Sequence, residues 1–295
     1  MSICTNDHFD LIPLTDLGPG LYKGYAGGLY PSGLNQRPSE QEAAGVALAA
    51  QIVPLDAAGI PSASGKVGFL ALGVSNGRFI FSTFTTLANA SPQKRPSVRL
   101  ANACQFGMDL PRINSNPGDY WAVFVPSKLS AAGLTKQQVQ AVWVLEGQLS
   151  VPRGFPNGAY DQAVLWEQLL RTIKTQFPNV KQALCTTPGY GGYRDPAPAL
   201  EPQMYEEAFA LKWTIEAQIA DDPNVSYKLG VAPWLSWAAY HWCDGVRPRG
   251  DGLTWECPED VMQDGLHPSS VGADKVARML LDFMLTDSAT SWFRK

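Results

Sequence analysis

The sequence predicts an α/β protein, a three-layer α/β/α sandwich with a mostly parallel central sheet, preceded by an N-terminal cap region over residues 1–65. Three observations point there. From Lys66 onward, short apolar runs alternate with longer segments of helical period. Those runs are apolar throughout rather than at every second position, the pattern of strands covered on both faces. And 295 residues with 45% hydrophobic content suffice for one large core.

Turns dominate the first 65 residues, where Gly18-Pro19-Gly20, Gly24, Gly27-Gly28, Pro31 and Gly33 punctuate the chain. One short helix is expected there, from Ser39 to Gln51, with Ser39 as N-cap and Glu42 completing a capping box. The region reads as a cap or lid packed on a main domain of residues 66–295. In that domain Val67 to Leu72 is the first strand and Arg78 to Ala90 a helix. Further strands are expected at Val98 to Cys104, Val139 to Leu145 and Val180 to Cys185. Between the last two, Ala163, Leu165, Trp166, Leu169, Leu170 and Ile173 recur near a 3.6 period within Tyr160 to Phe177. A later helix covers Pro202 to Ile219, and the last, Ser269 to Leu285, has a broad apolar face. Pro196-Ala197-Pro198 and Pro223 read as local punctuation. In such sheets, active sites gather at the carboxyl ends of the strands.

Composition excludes several function classes. The net charge is −4, and the 23 Lys and Arg residues are scattered, so no basic stripe suited to nucleic acid is present. No window approaches the apolar length of a membrane span, and the N-terminus lacks a signal-peptide pattern. A leader removed ahead of Met1 would leave a secreted or periplasmic location open. Cys4, Cys104, Cys185, Cys243 and Cys257 form no CxxC pair, so no metal site is expected. Cys243 and Cys257 flank a short loop; either a disulfide closes it or both thiols stay reduced. Asp244-Gly245, Asp251-Gly252 and Asp264-Gly265 lack calcium-loop spacing and read as turns.

Only three histidines, His8, His241 and His267, can supply an imidazole base. In Asp264-Gly265-Leu266-His267-Pro268 a carboxylate precedes the ring by three residues, close enough to orient one nitrogen while the other takes a proton. Pro268 suits the first turn of the following helix. The alternative is a helix-entry cap and a surface histidine. Ser75 follows the apolar run ending Gly73-Val74 and precedes Asn76-Gly77 and a helix. At such a turn its hydroxyl is a candidate nucleophile, or simply a helix cap.

Taken together these blocks resemble the SGNH/GDSL hydrolase family, in particular a divergent bacterial group in which a segment like Tyr30-Pro31-Ser32-Gly33-Leu34-Asn35 also recurs. The first block is Gly73-Val74-Ser75-Asn76, with valine where the family has aspartate. The second is Asn102-Ala103-Cys104-Gln105-Phe106-Gly107, which puts the family's oxyanion-hole glycine at Gly107. The closing Asp-x-x-His block is Asp264 and His267. The third block departs: for Gly-x-Asn-Asp this chain has Glu146-Gly147-Gln148-Leu149, so Gln148 is either the amide donor or an ordinary loop residue.

The resemblance implies an SGNH/flavodoxin-like sandwich and a serine esterase. Ser75, Asp264 and His267 would be the triad, and Ser75, Gly107 and Gln148 the oxyanion hole. No cofactor would be needed. The expected substrate is a small-molecule or glycan ester with a short acyl group, acetyl on a carbohydrate being the preferred case. Asn76, Tyr190, Tyr193 and Arg194 are the candidate substrate-binding residues; the two tyrosines belong to a late aromatic cluster whose more ordinary reading is core or lid packing. Two other classes compete. One is a non-catalytic carbohydrate-binding protein on a hydrolase scaffold, and the other a glycoside hydrolase pairing Glu146 with Asp264. Oligomeric state is not specified by these patterns.

Overall fold

The computed structural model describes residues 4–115, 118–194 and 200–295. The Pro196-Ala197-Pro198 punctuation lies outside them. Five parallel strands form the central sheet: β1 (Val67–Gly73), β2 (Val98–Cys104), β3 (Val139–Leu145), β4 (Gln182–Thr186) and β5 (Trp234–Trp237), in the spatial order β2-β1-β3-β4-β5. Strands β1, β3, β4 and β5 are buried along their whole length, as continuous apolar runs require of strands covered on both faces.

The main helices are α1 (Ser39–Ala49), α2 (Ser75–Ala90), α3 (Asn157–Gln176), α4 (Gln203–Ile219) and α5 (Ser270–Thr286). Helix α2 packs against α5, and α3 against α4, giving the three-layer α/β/α sandwich. The order β2-β1-β3 reverses direction at β1, and crevices at such reversals, outside the strands' carboxyl ends, are where open α/β sheets bind ligands. Ser75 begins at that point.

Strand β5 was not expected. Trp234-Leu235-Ser236-Trp237 is too short to show a period, and its tryptophans read as part of the aromatic cluster. It pairs with β4 alone, and its other side is covered by the N-terminal segment. Trp237 Nε1 donates to Leu29 O at 2.8 Å, Trp234 Nε1 to Gln41 O at 3.1 Å, and Gln41 Nε2 to Leu235 O at 2.9 Å. An exposed sheet edge is thereby capped by side chains. Leu14, Leu29, Tyr30 and Ile52 share the hydrophobic core of the sheet.

Three local expectations are corrected. Helix α1 has Pro38 as N-cap with no side-chain cap, so Ser39 is its first residue; Glu42 pairs with Arg37 and Ser288 instead of closing a capping box. Pro268 lies before the first turn of α5, in a bridge with Val261, and Ser269 caps the helix by accepting from Val271 N and Gly272 N. The disulfide joins Cys257 to Cys4, not to Cys243. The N-terminal strand of chain runs beside the 244–246 loop, with Phe9 N and Leu11 N on the Asp244 carboxylate and Val246 N on Asp7 O, which carries Cys4 to Cys257. Cys243 is a buried free thiol.

Candidate active site

Helix α2 starts directly after β1, with Val74 as its N-cap. Ser75 is therefore the first helical residue, where the backbone N–H groups have no partner inside the helix and favour negative charge. Gly73 permits the tight exit from the strand: its φ is +133°, and a Cβ there would fall 2.0 Å from Leu145 O. Val74 N donates to Leu145 O, so the turn is tied to β3.

His267 approaches from the far end of the chain. Ser75 Oγ lies 2.7 Å from His267 Nε2, and His267 Nδ1 lies 2.5 Å from Asp264 Oδ2. With a carboxylate as acceptor, Nδ1 carries a proton and Nε2 is left to receive one from Ser75. Asp264 Oδ1 also accepts the backbone N–H groups of Leu266 and His267, both at 3.0 Å. Partial burial alone would raise the Asp264 carboxyl, but the hydrogen bonds from the His267 ring and these two N–H groups outweigh it and hold the pKa below the usual carboxylate value.

The loop is itself anchored. Met262 N donates to His267 O, and Asn76 Nδ2 donates to Leu266 O at 3.3 Å, linking Ser75's neighbour to His267's neighbour. Gly265 has φ +63°, and a Cβ there would sit 1.7 Å from Tyr193 O. Phe79 and Phe106 flank the His267 ring with centroids at 5.7 and 5.5 Å. Neither phenylalanine was expected from the sequence, because both belong to the site only through the fold.

The other histidines are removed as bases. His8 is bonded to Asp7 at the N-terminal segment and, unlike His267, makes no hydrogen bond to Ser75. His241 is buried, and burial together with the Arg249 charge depresses it to about 4, so it stays neutral.

A cleft opens beside Ser75, lined by Asn76 and Leu266 on one side and by Gly147, Leu149, Pro188, Met204 and Glu207 on the other. Its free volume is about 30 Å³, room for roughly two water-sized groups. Asp109 and Gln148 also border it. The second block is tied to the end of β1, where Gln105 N donates to Gly73 O at 2.8 Å; Gly107 follows in a turn at φ +68° and does not line the cleft. The third block is held by three hydrogen bonds, two of them from α4. Leu149 N donates to Asp109 Oδ2, Gln148 N to Glu207 Oε1, and Gln203 Nε2 to Gln148 O.

Gln148 thus lies on the cleft, but its side-chain Nε2 donates to Ser150 O at 2.6 Å, within its own loop. Tyr190 and Tyr193 do not line the cleft. Both are buried, with their hydroxyls on Asn6 O and Trp255 O, and pack edge-on against one another; they are core residues, which corrects the expected stacking platform. Arg194 is partly exposed and does not line the cleft either. Glu146 is wholly buried and likewise absent from the cleft wall. Burial, then the Asp109 charge, pushes its carboxyl well above the ordinary value. The Asp264 carboxylate is taken up by the His267 ring and two backbone N–H groups, which leaves no open carboxylate pair for a glycosidase. A larger groove around Arg37 shares no residue with this cleft, and its guanidinium is already paired with Glu42 and Asp287. Among the described residues, no group of three His, Cys, Asp or Glu side chains could hold a metal ion, and no helix is long and apolar enough to cross a membrane.

No family model and no curated protein matches the sequence. Among solved structures, the chain is similar to a candidate acylhydrolase from Bacteroides fragilis, at 11% identity and TM-score 0.44, over 86% of this chain and 100% of that one. It is also similar to a carbohydrate esterase family 2 enzyme with a carbohydrate-binding domain from Corynascus (Myceliophthora fergusii), at 12% identity and TM-score 0.36, over 76% and 67% of the two chains. A third is the periplasmic domain of a lipopolysaccharide acetyltransferase from Salmonella ser. Paratyphi A, at 13% identity and TM-score 0.39, over 75% and 82%.

Proposed function

We propose that the protein is a serine esterase of the SGNH/GDSL type, acting on carboxylic esters with short acyl groups through an acyl-enzyme. One observation carries the reading: the unbroken hydrogen-bond chain from Ser75 Oγ through the His267 ring to Asp264. A carbohydrate-binding module has no use for such a chain at a helix N-terminus, whereas a nucleophile needs both its base and the group that orients the base.

In this mechanism His267 Nε2 takes the Ser75 proton as Oγ attacks the ester carbonyl, and Asp264 stabilises the imidazolium. The backbone N–H groups of Ser75 and Gly107 would stabilise the oxyanion, one such donor being worth about 3 kcal/mol. The Gln148 amide could join them only with the proton not given to Ser150 O. His267 then returns its proton to the departing alcohol, and water repeats the sequence on the acyl-enzyme. The small free volume beside Ser75 supports acetyl and similarly short acyl groups. A glycan ester is the substrate we favour, with acetyl the smallest acyl group of the range the cleft takes.

The test is hydrolysis of 4-nitrophenyl acetate, butyrate and octanoate by the wild type, Ser75→Ala and His267→Ala, with folding matched by circular dichroism. Activity on acetate that falls by about 10⁴-fold or more in both variants supports the proposal. Activity that survives Ser75→Ala sinks it.

A further inference from the structure

The wall of the Ser75 cleft contains a carboxyl group that the triad does not use. Glu207 projects from α4, in the layer opposite the Ser75 helix. Its Oε1 accepts the backbone N–H of Gln148 at 2.9 Å and Gln203 Nε2 at 3.2 Å. Its Oε2 is buried and has no partner among the described residues. A buried oxygen left without a partner calls for a physical reason.

The two oxygens are chemically distinct. The one accepting two N–H bonds behaves as the carbonyl oxygen of a carboxylic acid, which assigns the proton to Oε2. Burial, opposed by the Gln148 and Gln203 hydrogen bonds and reinforced by Glu201 and Asp109, raises the group to about 8, so the acid form prevails at neutral pH. Gly147 packs directly on this oxygen: a Cβ there would lie 2.2 Å from Oε2, so a side chain at 147 would close this part of the wall.

The side of the substrate that meets this wall follows from the mechanism. His267 must reach the departing alcohol, so the alcohol portion lies on the histidine's side, near Phe79 and Phe106. His267 does not line the cleft, which is left to the acyl group.

We propose that Glu207 determines acyl specificity: its Oε2–H donates a hydrogen bond to an oxygen on the carbon next to the ester carbonyl, so that hydroxyacyl esters such as glycolyl are preferred to alkyl-acyl esters of equal bulk. This deepens the esterase reading and rests on it. The free volume fits two atoms beyond the carbonyl, as in glycolyl and propionyl.

The experiment compares kcat/KM for 4-nitrophenyl glycolate and propionate in the wild type, Glu207→Met and Glu207→Gln. Intrinsic reactivity of the two esters cancels when their ratio is compared between enzymes. The glycolyl/propionyl ratio should fall about tenfold in Glu207→Met, the worth of one neutral hydrogen bond. Glu207→Gln should keep it within about twofold, since its oxygen replaces Oε1 and its NH₂ stands where Oε2–H was. A ratio unchanged in Glu207→Met, or lost equally in Glu207→Gln, overturns the assignment while leaving the esterase intact. Hydrolysis of neither ester by the wild type overturns both readings. Should Glu207→Met not fold, competitive inhibition of the wild type decides: glycolamide must bind more tightly than propionamide, and equal binding overturns the proposal.

Discussion

Ser75 Oγ and His267 Nε2 stand 2.7 Å apart although 192 residues separate them in the chain. The contact joins the first turn of α2 to the loop entering α5, and these two helices pack as neighbours in one layer. Packing of α2 on α5 therefore decides whether Ser75 and His267 meet.

Asp264 acts on this pair by holding the imidazole. Asp264→Asn should lower kcat by about 10⁴-fold while leaving the fold unchanged, because the amide disturbs the tautomer rather than the packing. Since the folded-state pKa of Asp264 lies below its unfolded value, its interactions stabilise the protein above about pH 4. That contribution is lost as pH falls through the folded value. Unfolding midpoints between pH 2 and 5 should therefore drop less steeply in Asp264→Asn than in the wild type.

Asn76 tethers the histidine loop through Leu266 O. Asn76→Ala should reduce kcat about tenfold with little change in melting temperature, the loss of one aligned hydrogen bond in a geometry that must be held closely. Steady-state kinetics beside a thermal scan separate this from general destabilisation.

Gly265→Ala should be costly for a backbone reason. Its φ of +63° and the 1.7 Å approach of a Cβ to Tyr193 O leave no room for a side chain. A loss of about 1–3 kcal/mol in urea unfolding is expected, with activity falling further because the same loop carries Asp264 and His267.

Glu201 and Glu207 shape the neutral range. Burial raises them to about 7 and about 8. Above the ordinary glutamate value of about 4.3 the unfolded chain releases these protons first, so stability declines as pH rises from there through the folded values. Glu207→Gln should flatten the decline between pH 5 and 8, visible in urea midpoints measured across that range.

The Cys4–Cys257 disulfide closes a separation of 253 residues and fastens the N-terminal segment. Cys4→Ser, or reduction with dithiothreitol, should cost about 2–5 kcal/mol in chemical denaturation. Cys243→Ser leaves that bond in place, so its loss of stability on reduction should match that of the wild type.

Much of the fold was legible because its information is local. Strands β2 and β3 lie where their apolar runs predicted, and α3, α4 and α5 begin and end within a few residues of their helical pattern. The proposed triad could be picked out for a related reason: Asp264 and His267 are near in sequence, and Ser75 stands at a strand-to-helix turn that hydrophobic patterning reveals. Strand β5 and the burial of Tyr190 and Tyr193 were not legible, since an aromatic residue reads alike in a core and on a binding surface.

By itself the sequence determined the α/β layering and the residue types able to do acyl-transfer chemistry, because period and local spacing are properties of neighbours along a chain. Only the tertiary structure decided that Cys4 rather than Cys243 meets Cys257, that Gln148 turns to Ser150, and that Glu207 stands in the cleft wall with one oxygen unpartnered. Each of these depends on which distant segments pack together, and burial then sets what the side chains can do.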